Sequence, residues 1–114
     1  MADKYGMELR LRKRQSGESL STLHQDIRRL MTLAHPRLPQ DTRESIACDY
    51  YVDALDGPEF ALKVRERAPT SLDEALRVSL QLEAWSRDAR RMRNEEASRV
   101  KHKARSAKPD ERNE

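Results

Sequence analysis

Three histidines, His24, His35 and His102, and one cysteine, Cys48, are the side chains here best suited to metal binding or nucleophilic catalysis. Their spacing argues against both. No two of them stand at the short separations that zinc sites use. Cys48 has no histidine nearby in sequence to accept its proton, so it reads as a buried, inert thiol in an apolar helix. Asp49 and Asp53 lie one helical turn apart on a face expected to be wet, where carboxylates serve solubility. The three glycines, at positions 6, 17 and 57, cannot build a phosphate-binding loop. The sequence therefore predicts no enzyme, no metal site, no cofactor and no small-molecule ligand.

Association is the chemistry that remains. From Ile46 to Leu55 every residue except Asp49 and Asp53 is apolar or aromatic. On a helix those eight cover about 240° of the circumference, whereas a surface helix needs roughly a 100° stripe to reach its own core. A central helix wrapped on all sides would show the same composition. The preferred expectation is that Ile46, Tyr50 and Ala54 face the core, leaving Cys48, Tyr51, Val52 and Leu55 as an interface for a second copy. Two tyrosines suit such an interface, since each buries a ring while its hydroxyl stays wet.

The positioning elements read as helix after helix, with no strand alternation and no hairpin dipeptide. A short basic helix is expected over 3–14, broken at Gln15-Ser16-Gly17. From Glu18, the residues Leu20, Leu23, Ile27, Leu30, Met31 and Ala34 recur at helical spacing, and Pro36 and Pro39 end that helix near His35. Asp41-Thr-Arg-Glu44 has the form of a capping box opening a helix to Leu55. Asp56-Gly57-Pro58-Glu59 repeats the pattern for a short helix carrying Phe60, Leu62 and Val64, and Pro69 ends it. Ser71-Leu72-Asp73-Glu74 is a third box, opening the longest helix with Leu72, Ala75, Leu76, Ser79, Leu82 and Trp85 on or beside one face. The fold class is all-α, a compact bundle of four main helices with an extra N-terminal helix and a long last one.

Charge is segregated along the chain. Residues 1–17 carry five basic and two acidic groups, residues 18–86 eight and twelve, and residues 87–114 ten and six. A mildly acidic folded middle between basic ends favours polyanions such as RNA. Contacts of that kind would rest on Arg90, Arg91, Arg93, Lys101, Lys103 and Arg105, with no aromatic among them to stack on bases. Order is expected to fade between Arg93 and Lys101. No apolar run is long enough to span a bilayer, no signal-peptide core follows Met1, and the lone cysteine fits a reducing, intracellular location.

The stretch Arg14-Gln-Ser-Gly-Glu-Ser-Leu-Ser-Thr-Leu-His-Gln-Asp-Ile-Arg-Arg-Leu, followed by YYVDALDGPEFALKVRERAPTSLDEALRVSLQLE, resembles the Gag polyprotein of gypsy-type LTR retrotransposons. The similarity is to the C-terminal lobe of the capsid region, related to retroviral capsid C-terminal domains, and covers roughly residues 8–93. The resemblance implies a helical lobe at 17–93 that dimerises through its second main helix, a linker or preceding-lobe end at 1–16, and a charged tail at 94–114. It implies assembly into a cytoplasmic particle around RNA; a domesticated Gag-derived dimerisation domain or a basic RNA-binding adaptor are the alternatives. The homology motif of that family maps to Gln15, Gly17, Glu18, Leu23 and Ile27. Here Gln15 is one place out of register, Leu23 stands for an aromatic, and Asp26 occupies the place of an arginine. No zinc knuckle is present.

Overall fold

The computed structural model describes the backbone of residues 2–112 and the side chains of residues 3–100. Its five helices are α1 (Ala2–Leu11), α2 (Leu20–Ala34), α3 (Gln40–Ala54), α4 (Pro58–Glu66) and α5 (Leu72–Arg112). Two units are distinguished along the chain, Met1–Leu82, which holds the core, and Glu83–Glu114, which holds the rest of α5. The fold is all-α, as the helical periodicity required.

Within the first unit, α1 and α3 are both arranged against α2. Its expected apolar face, from Leu20 through Leu23, Ile27, Leu30 and Met31 to Ala34, is buried at every position. Ser19 caps its start, the hydroxyl accepting the Thr22 N–H at 3.1 Å, and His35 closes its end through an N–H donated to the Met31 carbonyl. Helix α1 packs on α2 and contributes Leu9, and α3 packs on both α2 and α4. Helix α4 adds Ala61 and Val64, while Leu72, Ala75 and Ser79 come from the first turns of α5. Leu62 of α4 is 55% exposed.

The capping boxes hold at one site and fail at two. Ser71 Oγ accepts the Glu74 N–H at 3.1 Å, and Glu74 reaches back one residue further than expected, accepting from the N–H and hydroxyl of Thr70. By contrast, α3 starts at Gln40 out of an extended Pro39, with no side-chain cap. Asp41 is thus already in the first turn, where its carboxylate favours the helix dipole and accepts only the adjacent Thr42 N–H. Glu44 is drawn away to Arg28, 2.7 Å distant. Helix α4 likewise starts without a side-chain cap, from Gly57 at φ +92°, a backbone setting that glycine adopts without penalty. Asp56 there accepts from Arg14 instead. Helix α5 continues through the stretch where order was expected to fade.

Candidate functional site

The segment joining α1 to α2 is held by charge rather than by apolar burial. Glu18 is its hub. Its two carboxylate oxygens accept from the Arg12 guanidinium at 3.1 and 2.5 Å, and one of them also accepts the Gln15 N–H at 2.9 Å. The Arg12 Nε–H donates to Asp26 on α2 at 2.7 Å. These side chains are largely shielded, at 16% exposure for Arg12, 11% for Glu18 and 26% for Asp26. Charge-assisted, two-pronged pairs of this kind are among the stronger hydrogen bonds in proteins. Hydrogen bonding from Arg12 holds the Glu18 carboxyl below its ordinary value despite burial. Burial pushes the Asp26 carboxyl up, but hydrogen bonds from Arg12 and Arg29 outweigh it and leave the group below its usual range.

The same segment closes over the end of α3. Arg14 donates its backbone N–H to the Ala54 carbonyl at 2.8 Å, and Lys13 Nζ donates to the Asp53 carbonyl at 2.8 Å. Two otherwise unsatisfied carbonyls of a helix C-terminus are thereby met by donors, one of them cationic. Gly17 sits at φ +81° between Arg14 and Ser19, allowing the chain to reverse into α2.

Of the homology-motif residues, Leu23 and Ile27 are wholly buried on α2, and Glu18 anchors the ion cluster. Gln15 takes part through its backbone, its side-chain amide donating to the Lys13 carbonyl. The arginine that meets Glu18 is Arg12, and Asp26 is that guanidinium's second acceptor.

A second cluster joins α2, α3 and α5. His24 donates from Nε2 to Asp73 Oδ1 at 2.8 Å, and Arg28 donates to that same oxygen and to Glu44, at 2.8 and 2.7 Å. Hydrogen bonding from His24, then from Arg28, lowers the Asp73 carboxyl. From the first turn of α3, Arg43 donates to the carbonyls of His35, Pro36 and Leu38 in the connection from α2. Nothing in the sequence pattern pointed to these pairings.

The expected interface residues are not at the surface. Cys48, Tyr51, Val52 and Leu55 are 4%, 0%, 3% and 6% exposed within the lone protomer, so the assignment of these four to an oligomer interface is corrected. Ala54 is enclosed as expected, but Ile46 and Tyr50 are only partly covered. The inward side of α3 is therefore the one read as outward. The physical reason is that α3 lies between its neighbours: Tyr51 hydrogen-bonds Ser79 of α5 at 2.7 Å, and the Cys48 thiol faces the Pro69 carbonyl at 3.5 Å. Burial, with the negative charges of Asp49, Glu74 and Glu44, pushes that thiol up to about 11. It is a protonated, unreactive group.

No three histidine, cysteine or acidic side chains converge on a metal-sized site among the described residues. No described helix is long and apolar enough to cross a membrane. The large apolar side chains left at the surface of the first unit are Met7, Leu11, Leu33, Leu62 and Leu80. Met7 and Leu11, with Asp3, Lys4 and Glu8, line an open depression of about 400 Å³ on the outer side of α1. In the second unit Trp85, Met92 and Val100 are about half or more exposed. Arg90, Arg91 and Arg93 are exposed on α5, whereas Lys101, Lys103 and Arg105 lie on its backbone beyond the described side chains. No family model, no curated protein and no solved structure matches this chain.

Proposed function

We propose that this chain is a structural self-association module of the retrotransposon Gag capsid type, acting by assembly with further copies of itself. The observation that carries this reading is the ion cluster of Arg12, Glu18 and Asp26. The resemblance implies a hydrogen-bond network of a glutamine, a glutamate and an arginine where the chain enters the first main helix. Glu18 accepts from the Arg12 guanidinium and from the Gln15 N–H, and Asp26, in the place of that family's arginine, is the second acceptor of Arg12. Such a cluster sets the approach of one element to the next, which a module working within an assembly needs to hold constant.

The surface for association in this proposal is α1, because α3 is consumed by the core. Met7 and Leu11 are 55% and 71% exposed, and Lys4 and Glu8 stand on the same side. A two-fold pairing of this helix with itself would bring Lys4 of each copy toward Glu8 of the other while covering both apolar side chains. Sedimentation of the whole chain over a concentration series tests the reading. The expected result is a mass that rises with concentration, and a Met7→Asp/Leu11→Asp double variant that stays monomeric with its helical circular dichroism intact. A wild-type monomer at every concentration would defeat the assembly proposal; a double variant that still associates would defeat only the placement on α1.

A further inference from the structure

The connection from α4 to α5 places a hydroxyl just after a pair of arginines. Arg65 and Arg67 stand five and three residues before Thr70, and Pro69 directly precedes it. Protein kinases choose acceptors by flanking charge of this kind, with carboxylates of the kinase meeting the arginines. Ser16 and Thr32 also have two arginines among the five residues before them, and the structure withdraws both. The guanidinium groups ahead of Ser16, on Arg12 and Arg14, are only 16% and 14% exposed and are held by Glu18, Asp26 and Asp56. Thr32 lies inside α2, where its hydroxyl donates to the Arg28 carbonyl at 3.1 Å.

Thr70 differs in each respect. It is exposed, it lies outside both helices, and Arg65 and Arg67 are exposed as well. Arg65 is engaged by Asp53, each more than half exposed, and a pair so open to water yields to a competing carboxylate. A kinase takes its acceptor in an extended segment, so the last turn of α4 has to open. That turn is poorly secured. It runs into Ala68 at φ +52°, a setting uncommon for a residue with a Cβ and further disfavoured before a proline. Opening the turn releases that strain.

We infer that Thr70 is a phosphorylation site for an arginine-directed protein kinase, and that the phosphate loosens the start of α5. The γ-phosphoryl group of ATP passes to Thr70 Oγ1. An Oγ1–P bond forms, the bond from that phosphorus to the β,γ-bridging oxygen breaks, ADP leaves, and the hydroxyl proton goes to the kinase's catalytic carboxylate. In the unmodified chain this hydroxyl donates to Glu74 Oε1 at 3.0 Å, and the same oxygen accepts the Thr70 N–H at 2.6 Å. The phosphoester oxygen has no proton to donate, and nearly two negative charges come to lie beside Glu74, with Asp73 in the same first turn. A helix start ordinarily favours a phosphate. Here two carboxylates already hold that place, and Glu74 already occupies the Thr70 N–H. The burial of Leu72 and Ala75, and the bonds of Asp73 to His24 and Arg28, depend on this first turn. The inference is independent of the assembly proposal, since it needs neither α1 nor a second copy.

The test incubates the whole chain, well below its melting temperature, with protein kinase B and magnesium ATP, and maps the product by mass spectrometry. Phosphate on Thr70 is expected. Its rate should be at least about tenfold lower in Arg65→Gln/Arg67→Gln, the loss expected when charged hydrogen bonds to the kinase are removed. That variant should match wild type in helical circular dichroism, because both side chains are at the surface. The phosphorylated chain is expected to melt roughly 4–8 °C below the unmodified one, the shift that loss of about one helix cap gives. Thr70→Val lacks the hydroxyl but keeps the N–H, and its fall should be less than half as large. A native chain left unmodified at Thr70, or modified equally fast without the two arginines, would overturn the assignment of the site. A phosphorylated chain that melts at or above the unmodified temperature would overturn the loosening of α5.

Discussion

Replacing Arg12 by methionine removes the one cation that two shielded carboxylates share. Breaking a fully buried pair by deleting one partner costs about 3–5 kcal/mol, whereas an exposed pair is worth about 0–1. Exposures of 16%, 11% and 26% for Arg12, Glu18 and Asp26 place this cluster nearer the buried limit. Glu18 keeps the Gln15 N–H, and Asp26 keeps Arg29, 2.9 Å away, which softens the loss. A destabilisation of about 2–3 kcal/mol follows, or a fall in Tm of roughly 10–20 °C for a domain of this size. The pH dependence identifies the cause. Both carboxyls are held below their ordinary values of 4.5 and 3.8 in the folded chain. Their contribution is therefore present above those values and disappears as pH falls through the depressed folded ones. Thermal denaturation followed by circular dichroism should show the Arg12→Met deficit in full at neutral pH and largely closed in acid. Arg12→Met/Glu18→Met should recover part of the neutral-pH loss, because an apolar replacement strands one carboxylate fewer. An unchanged Tm at neutral pH, or a deficit that persists undiminished in acid, would refute the reasoning.

The environment of Cys48 predicts a thiol that thiol reagents scarcely touch in the native state. With its value raised from 9.0 to about 11, the thiolate population at mildly alkaline pH is about a hundredfold below that of an ordinary cysteine. Labelling should therefore wait on unfolding; a native chain that reacts as fast as a denatured one would contradict the burial argument. Tyr51→Asp places a carboxylate in a site with 0% exposure. The expected outcome is a large fall in Tm, followed by circular dichroism, since an unpaired buried charge costs more than about 4 kcal/mol against a total stability of about 5–15. A Tyr51→Asp monomer of unchanged Tm would restore the interface reading of α3.

Much of the fold was legible because it rests on local rules. The apolar period from Leu20 to Ala34, the stops at Pro36, Gly57 and Pro69, and the Ser71 cap each act over a few residues, and the helices follow them closely. Helix starts were less legible. At Asp41 the acceptor-x-x-Glu pattern is present, but a distant cation, Arg28, competes for Glu44, and that competition appears only once α2 lies beside α3. The ion clusters were illegible for the same reason. Arg12 is six residues from Glu18 and fourteen from Asp26, and His24 is forty-nine from Asp73. Nothing in a linear pattern favours those partners over other charged residues.

The apolar surplus of α3 matches what its neighbours lack. Helix α4 offers the core only Ala61 and Val64 as fully enclosed apolar side chains, and α5 offers Leu72, Ala75 and the hydroxyl of Ser79. Facing elements this small leave volume that close packing must fill, and α3 with the residue that follows it fills that volume from several directions with Ala47, Cys48, Tyr51, Val52, Ala54 and Leu55. The largest of these, Tyr51, lies against one of the smallest partners, with its hydroxyl meeting Ser79. In a chain with only 36% hydrophobic residues, one greasy helix among lean ones is the centre of its own core. An apolar surplus points outward only when the neighbouring faces are already bulky, and here Ala61, Ala75 and Ser79 are not.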